Sequence, residues 1–125
     1  MGQHVNFGSL DDKAHIEGTP FTERQQGETV FECLSQTAGR HGGRNAISFQ
    51  IKSGPGDKAE TLTWAEVRSL TVQAANLFRS LGVGENDVVA YMLPNCNETA
   101  ITLLGGCTAG IVNPINPLLE PAQIS

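Results

Sequence analysis

LTWAEVRSLTVQAANLFRSLGVGENDVVAYMLPNCNETAITLLGGCTAGIVNPINP, running from Leu62 to Pro117, reads as helix, strand, helix, strand with a boundary signal at each junction. Thr63-x-x-Glu66 is a capping box, in which the threonine hydroxyl accepts from the N3 amide and the glutamate carboxylate reaches back to the cap amide. Behind it Val67, Leu70, Ala74, Leu77, Phe78 and Leu81 recur at spacings of three and four, which predicts one buried helix face. Gly82 ends this helix, and Val83 stands where a Schellman closure places its apolar contact. Asp87 to Leu93 is nearly all apolar, the pattern of a parallel strand covered on both faces, and Pro94 ends it. A second helix follows from about Asn97 to Ala109, with Glu98 in the first turn, where an acidic side chain suits the dipole. Its main stripe is Ala100, Leu103, Leu104 and Cys107; Ile101 makes it apolar on several sides, so burial is expected. Gly105 and Gly106 would each cost about 1 kcal/mol relative to alanine in an exposed helix, and close packing against another backbone is the expected compensation. Gly110 reads as the C-cap, Ile111 and Val112 as the next strand, and Asn113 to Pro117 as a turn. Strand, helix, strand makes a βαβ unit, right-handed in nearly all proteins, and the fold class is α/β.

Working outward, Thr29-x-x-Glu32 is a second capping box opening a helix with Val30, Phe31, Leu34 and Ala38 on one stripe, stopped by Gly39, Gly42 and Gly43. Ala46 to Ile51 alternates Ile47, Phe49 and Ile51 against Ser48 and Gln50, a strand with one buried face. Gly54, Pro55 and Gly56, in a loop from Ser53 to Asp57, return the chain to a short strand at Glu60 to Leu62, forming a hairpin. Residues 1–27 carry Gly8, Gly18, Pro20 and Gly27 and read as an irregular lead segment in which Phe7, Ile16 and Phe21 anchor locally. Leu118 to Ser125 has Glu120, Pro121, Ala122, Gln123 and Ile124 in the order of a new helix beginning. Central parallel strands need cover on both faces, and too few elements are in view to give it. The chain is therefore expected to be the front part of a larger protein.

Composition narrows the functional classes. Hydrophobic residues make up 39% and charged residues 17%, within the globular range. A net charge of −5 argues against a nucleic-acid surface, which needs clustered Lys and Arg. The last basic residue is Arg79, so a phosphate bound after it would rely on backbone N–H groups and helix dipoles alone. Cys33, Cys96 and Cys107 have neither a CxxC pairing nor an even count, which fits reduced thiols and a cytoplasmic location. No secretory h-region follows Met1, and Asn6 stands where a myristoylation motif requires Ser or Thr. The run from Ala100 to Val112 covers about 20 Å as a helix, short of the roughly 30 Å core of a bilayer, so no transmembrane segment is expected.

Motifs for chemistry are sparse. There is no G-x-x-x-x-G-K phosphate loop, and Gly82-Val83-Gly84 follows a helix rather than a strand, so it reads as a cap and turn. His4, His15 and His41 are too scattered for a metal site. Cys96 is the one thiol placed where a helix dipole could activate it, but no partner base is identifiable; Cys107 reads as a small buried hydrophobe. Asn97-Glu98-Thr99 matches a glycosylation acceptor with no secretory context, and Trp64 and Tyr91 read as core. No catalytic, cofactor-binding or metal residue is assigned within the 125 residues.

The order TLTWAEV, SLGVGENDVVAYMLPN, ETAITLLGGCTAGIVNPINPLLEPAQI resembles the N-terminal region of the AMP-forming acyl-CoA synthetases, in the adenylate-forming superfamily. The similarity covers about Thr29 to Ser125. MLPN with AGIVNPINP leans towards acyl- or aryl-CoA ligases over peptide-synthetase domains. The resemblance implies a layered helix–sheet–helix subdomain and an irregular 1–27 ahead of a truncated AMP-binding domain at 28–125. It also implies a parent that joins ATP and a carboxylic acid into an acyl-adenylate, with Mg²⁺ assisting, and transfers the acyl group to CoA. The family's Ser/Thr/Gly-rich phosphate loop, ribose-binding acid and C-terminal lysine have no counterpart between Met1 and Ser125. The fragment is accordingly expected to be inactive alone, with the remainder of the polypeptide as its partner. A non-catalytic α/β interaction or regulatory module is the alternative.

Overall fold

The computed structural model describes residues 8–52, 54–120 and 122. In chain order the elements are α1 (Leu10–Glu17), α2 (Phe21–Arg24), α3 (Val30–His41), β1 (Asn45–Phe49), β2 (Glu60–Thr63), α4 (Trp64–Ser80), β3 (Val88–Tyr91), α5 (Asn97–Ala109) and β4 (Ile111–Pro114). β1 and β2 form an antiparallel hairpin with an irregularity between Asn45 and Ile47, and β3 and β4 pair in parallel.

The start of α4 shows why the chain folds as it does at this point. The first helical amides have no partner inside a helix. Here Trp64 and Ala65 donate theirs to the carbonyls of Arg44 and Gly42, and Glu66 donates to Thr63 Oγ1 at 3.3 Å. Glu66 Oε2 accepts from the Thr63 amide at 2.8 Å, completing the capping box. One short segment thus joins α3, β1, β2 and α4. At the other end Gly82 adopts φ +93, with its amide on the Arg79 carbonyl and that of Val83 on Phe78, both bonds of a Schellman motif.

α4 and α5 form the most extensive interface, and α3 packs across both. Gly105 carries it: a Cβ there would lie 2.6 Å from Ala74 Cβ and 3.3 Å from the Ala75 amide nitrogen. Gly106 faces the sheet instead, where a Cβ would lie 3.0 Å from Val112 Cγ2. Both glycines are buried and hold the close approach that their pairing predicts. Leu34, Val67, Thr71, Ala75 and Ala109 complete a small core.

Several expectations differ from the structure. Residues 10–17 are helical, because Ser9 and Asp12 form a capping box; the segment before Gly27 is not irregular throughout. Thr29 accepts from the Glu32 amide, but Glu32 Oε2 takes the Glu28 amide rather than that of the cap, so this box is half formed. Gly39 lies inside α3, which runs on to His41. β1 ends at Phe49, and Ile51 is exposed. Leu77 and Leu81 are exposed, the buried line of α4 being Val67, Thr71 and Ala75. Cys107 is exposed as well, since α5 turns Gly105, Gly106 and Ala109 inward. β3 is covered on one face only among the described residues, with Val88 and Ala90 outward. The expected anchor Phe7, the loop start Ser53, and Pro121, Gln123 and Ile124 of the expected final helix lie outside the described residues.

Candidate functional site

A thiol, the Glu98 carboxylate and two clefts meet at the N-terminal end of α5. Cys96 is the N-cap in extended backbone, and its side chain makes no cap hydrogen bond. Its Sγ lies 3.2 Å from Thr99 Oγ1, and Thr99 Oγ1 in turn donates to the Pro94 carbonyl. The Glu98 carboxyl is held below its ordinary range, first by a hydrogen bond from its own backbone amide and second by the Cys96 thiol. The contacts of Cys96 are thus to a hydroxyl and a carboxylate within the first turn of the same helix.

Asn97, the first residue of α5, is 7% exposed. Its Nδ2 donates to the Glu60 carbonyl at 3.4 Å and ties the helix to β2, while Oδ1 is buried without a hydrogen-bond partner. A groove of about 410 Å³ opens beside it, walled by Leu62, Leu70 and Ile101 and rimmed by Glu60 and Glu98. A shallower cleft of about 250 Å³ lies between β1 and α5, lined by Phe49, Tyr91, Cys96 and Leu103 among others.

This arrangement does not fit a triphosphate. A helix N-terminus attracts anions through its free amides, but Glu98 already presents a carboxylate there and engages its own amide. The Glu60 backbone carbonyl, which accepts from Asn97, adds a second oxygen rather than a donor on the same side. The last basic residue, Arg79, is at the opposite end of α5, where Nη2 donates to the Thr108 carbonyl at 3.1 Å. Among the described residues no group of three or more His, Cys, Asp or Glu stands together to hold a metal ion such as Mg²⁺. No reaction step is assigned to these side chains.

The other singled-out residues do not converge. His15 sits in the last turn of α1 and His41 ends α3, while His4 lies outside the described residues. Trp64 and Tyr91 are half-buried at the start of α4 and the end of β3. Cys33 is half-buried with Sγ 3.8 Å from the Gly27 carbonyl. Sequence reasoning missed Asn97 as a buried polar tie, and Thr71, whose Oγ1 is buried and unpartnered on a residue of 0% exposure. The spacing of Thr71 between Val67 and Ala75, four residues from each, is the signal that could have found the latter. No local pattern marks Asn97.

Residues 34–125 match the family described as AMP-binding enzyme. A marinolic acid–CoA ligase from Pseudoalteromonas sp. (strain SANK 73390) is 32% identical over 122 residues, covering 98% of this chain and 18% of that protein. Among solved structures, the N-terminal subdomain of Klebsiella oxytoca NpsA superposes with a TM-score of 0.67 at 18% identity, over 77% of this chain and 23% of that one. The fatty acyl-adenylate ligase from L. pneumophila, in complex with acyl adenylate and pyrophosphate, gives 0.66 at 20% identity over 76% of this chain and 16% of its own. The chain spans less than a fifth of the length of the curated relatives it matches.

Proposed function

The chain belongs to the AMP-binding enzyme family, and from that membership we propose that it is the N-terminal scaffold of an AMP-forming acid–CoA ligase. In the parent reaction a carboxylate oxygen of the acid attacks the α-phosphorus of ATP and pyrophosphate leaves. The thiol of CoA then attacks the acyl carbon, its proton passes to solvent or base, and AMP leaves with the bonding electrons. The first step converts a poor leaving group into a good one and depends on stabilising phosphate charge. The Glu98 carboxylate in the first turn of α5 and the lack of any Lys or Arg after Arg79 work against such stabilisation, which supports assigning the phosphate and Mg²⁺ chemistry to the rest of the parent and none of it to residues 1–125. The observation that carries the reading is the alignment with a CoA ligase along nearly the whole chain.

Within that reading, residues 28–125 are the N-terminal part of the AMP-binding domain and residues 1–27 its lead segment. The substrate is a fatty or aryl acid, as the strings MLPN and AGIVNPINP suggest. A cytoplasmic location is supported by the three free cysteines; among the described residues no helix is long and apolar enough to cross a membrane. The test is acid-dependent pyrophosphate exchange across a panel of fatty and aryl acids. Exchange by the full-length polypeptide and none by the 125 residues is expected. Exchange by the 125 residues alone would overturn the scaffold assignment, and no acyl-adenylate from the full-length polypeptide would overturn the ligase.

A further inference from the structure

Asn97 opens α5 and lines the groove of about 410 Å³ that Leu62 of β2, Leu70 of α4 and Ile101 of α5 wall with hydrocarbon. The residue is 7% exposed, and its Oδ1 has no hydrogen-bond partner. A buried acceptor left unpaired costs stability, so a group that donates to it recovers that cost. The amide is held by Nδ2 on the Glu60 carbonyl at 3.4 Å. That is longer than the usual span of about 2.7–3.2 Å and leaves the side chain room to tilt towards the groove.

The rest of the polar lining is rich in acceptors. The Glu60 carbonyl accepts, Glu98 is a carboxylate and Thr102 a hydroxyl that can accept as well as donate; none of the described residues lining the groove is Lys, Arg or His. The N-terminus of α5 brings about half a positive charge, against which Glu98 in its first turn sets a full negative one. The volume falls within the roughly 300–1,000 Å³ of small-molecule pockets, which likewise pair apolar walls with a few polar groups. We propose that this groove is a binding site for a small ammonium ligand with an alkyl or aryl body, whose N–H donates to Asn97 Oδ1 while the body lies against Leu62, Leu70 and Ile101. Such a ligand is opposite in charge to the carboxylic acid of the ligase reaction, and the site stands independently of that reading.

The experiment titrates hexylammonium into the full natural polypeptide carrying labelled Leu and Ile methyl groups, followed by NMR. The Leu62, Leu70 and Ile101 methyls are expected to shift together, with a Kd on the order of 1 mM for a ligand of this size. Hexyltrimethylammonium keeps the charge and the chain but has no N–H, and hexanoate reverses the charge; each is expected to bind at least about tenfold more weakly. Asn97→Leu should weaken hexylammonium by the same factor, and Glu98→Gln, an exposed substitution that leaves Asn97 in place, by about threefold. Equal affinity for the two cations, tighter binding of hexanoate, or no shift at about 50 mM, where a millimolar site is filled, overturns the site. Should Asn97→Leu fail to fold, the comparison of the two cations on the natural sequence decides alone. Pyrophosphate exchange on the same sample reports the ligase separately: exchange without methyl shifts overturns the groove and leaves the ligase intact, and shifts without exchange do the reverse.

Discussion

Replacing Gly105 by alanine places a methyl carbon 2.6 Å from Ala74 Cβ and 3.3 Å from the Ala75 nitrogen. Two carbons sit comfortably at about 3.5–4.0 Å, so α4 and α5 must separate by roughly 1 Å along their most extensive interface. Overpacking of this kind costs about 1–3 kcal/mol, and the better helix propensity of alanine returns about 1 kcal/mol. The clash is with a Cβ and a backbone atom, neither of which can rotate away, so the cost lies in the upper part of that range and destabilisation wins by up to about 2 kcal/mol. Gly39→Ala is the control. It also lies within a helix, α3, but its added methyl meets nothing within 4 Å, so stability should rise by about 0.5–1 kcal/mol. Thermal unfolding followed by far-UV circular dichroism should therefore move in opposite directions, by about 4 °C per kcal/mol. Ala74→Gly removes the facing methyl, and combined with Gly105→Ala it should show a favourable coupling of about 1–2 kcal/mol in a double-mutant cycle. A rise in Tm for Gly105→Ala equal to that for Gly39→Ala would refute the close-approach account.

Three further outcomes test the local physics. The Glu66 carboxyl is lowered, chiefly by the Thr63 amide and next by the Thr63 hydroxyl, so its contribution is complete above the unfolded value of about 4.3 and fades as pH falls through the folded value. Glu66→Gln should lower Tm at pH 7 and converge on the parent sequence by pH 3; a constant gap across that range would count against the capping-box ionisation. Gly82→Ala should cost about 1–2 kcal/mol in urea unfolding although its methyl meets nothing within 4 Å, since the penalty is φ +93 itself; a neutral result would remove the Schellman closure from the account. Leu77→Gln and Leu81→Gln should each stay within about 0.5 kcal/mol in the 125-residue chain; a loss above about 2 kcal/mol would show that these positions are core despite their exposure.

What was legible in the sequence was whatever a few adjacent residues decide among themselves. Thr63 with Glu66, and Gly82 with Val83, close hydrogen bonds within one turn, and both boundaries read correctly. The same grammar failed where a substitute did the work: Ser9-x-x-Asp12 caps α1 with aspartate in place of the usual Glu or Gln, so a helix was read as irregular. Gly39 carries the signal of a stop because glycine weakens a helix, but about 1 kcal/mol does not end one that continues to His41. Periodicity, in turn, gives the direction of a face and says nothing of how far the covering element extends. Leu77 and Leu81 lie on the predicted stripe of α4 and Cys107 on that of α5, yet all three are exposed, because the helices meet most closely at Gly105.

The candidate site follows the same division. The lack of basic residues beyond Arg79 is a sequence fact, and the structure adds its consequence at α5, where Glu98 places a carboxylate in the first turn of the helix. Asn97 was beyond reach because its burial depends on β2, 37 residues earlier in the chain. Strand β3 unites both lessons. Its unbroken apolar run predicted cover on two faces, and α5 supplies one of them over Val89. The run encodes a requirement of the strand rather than a property of the described elements, so Val88 and Ala90 remain outward among the described residues.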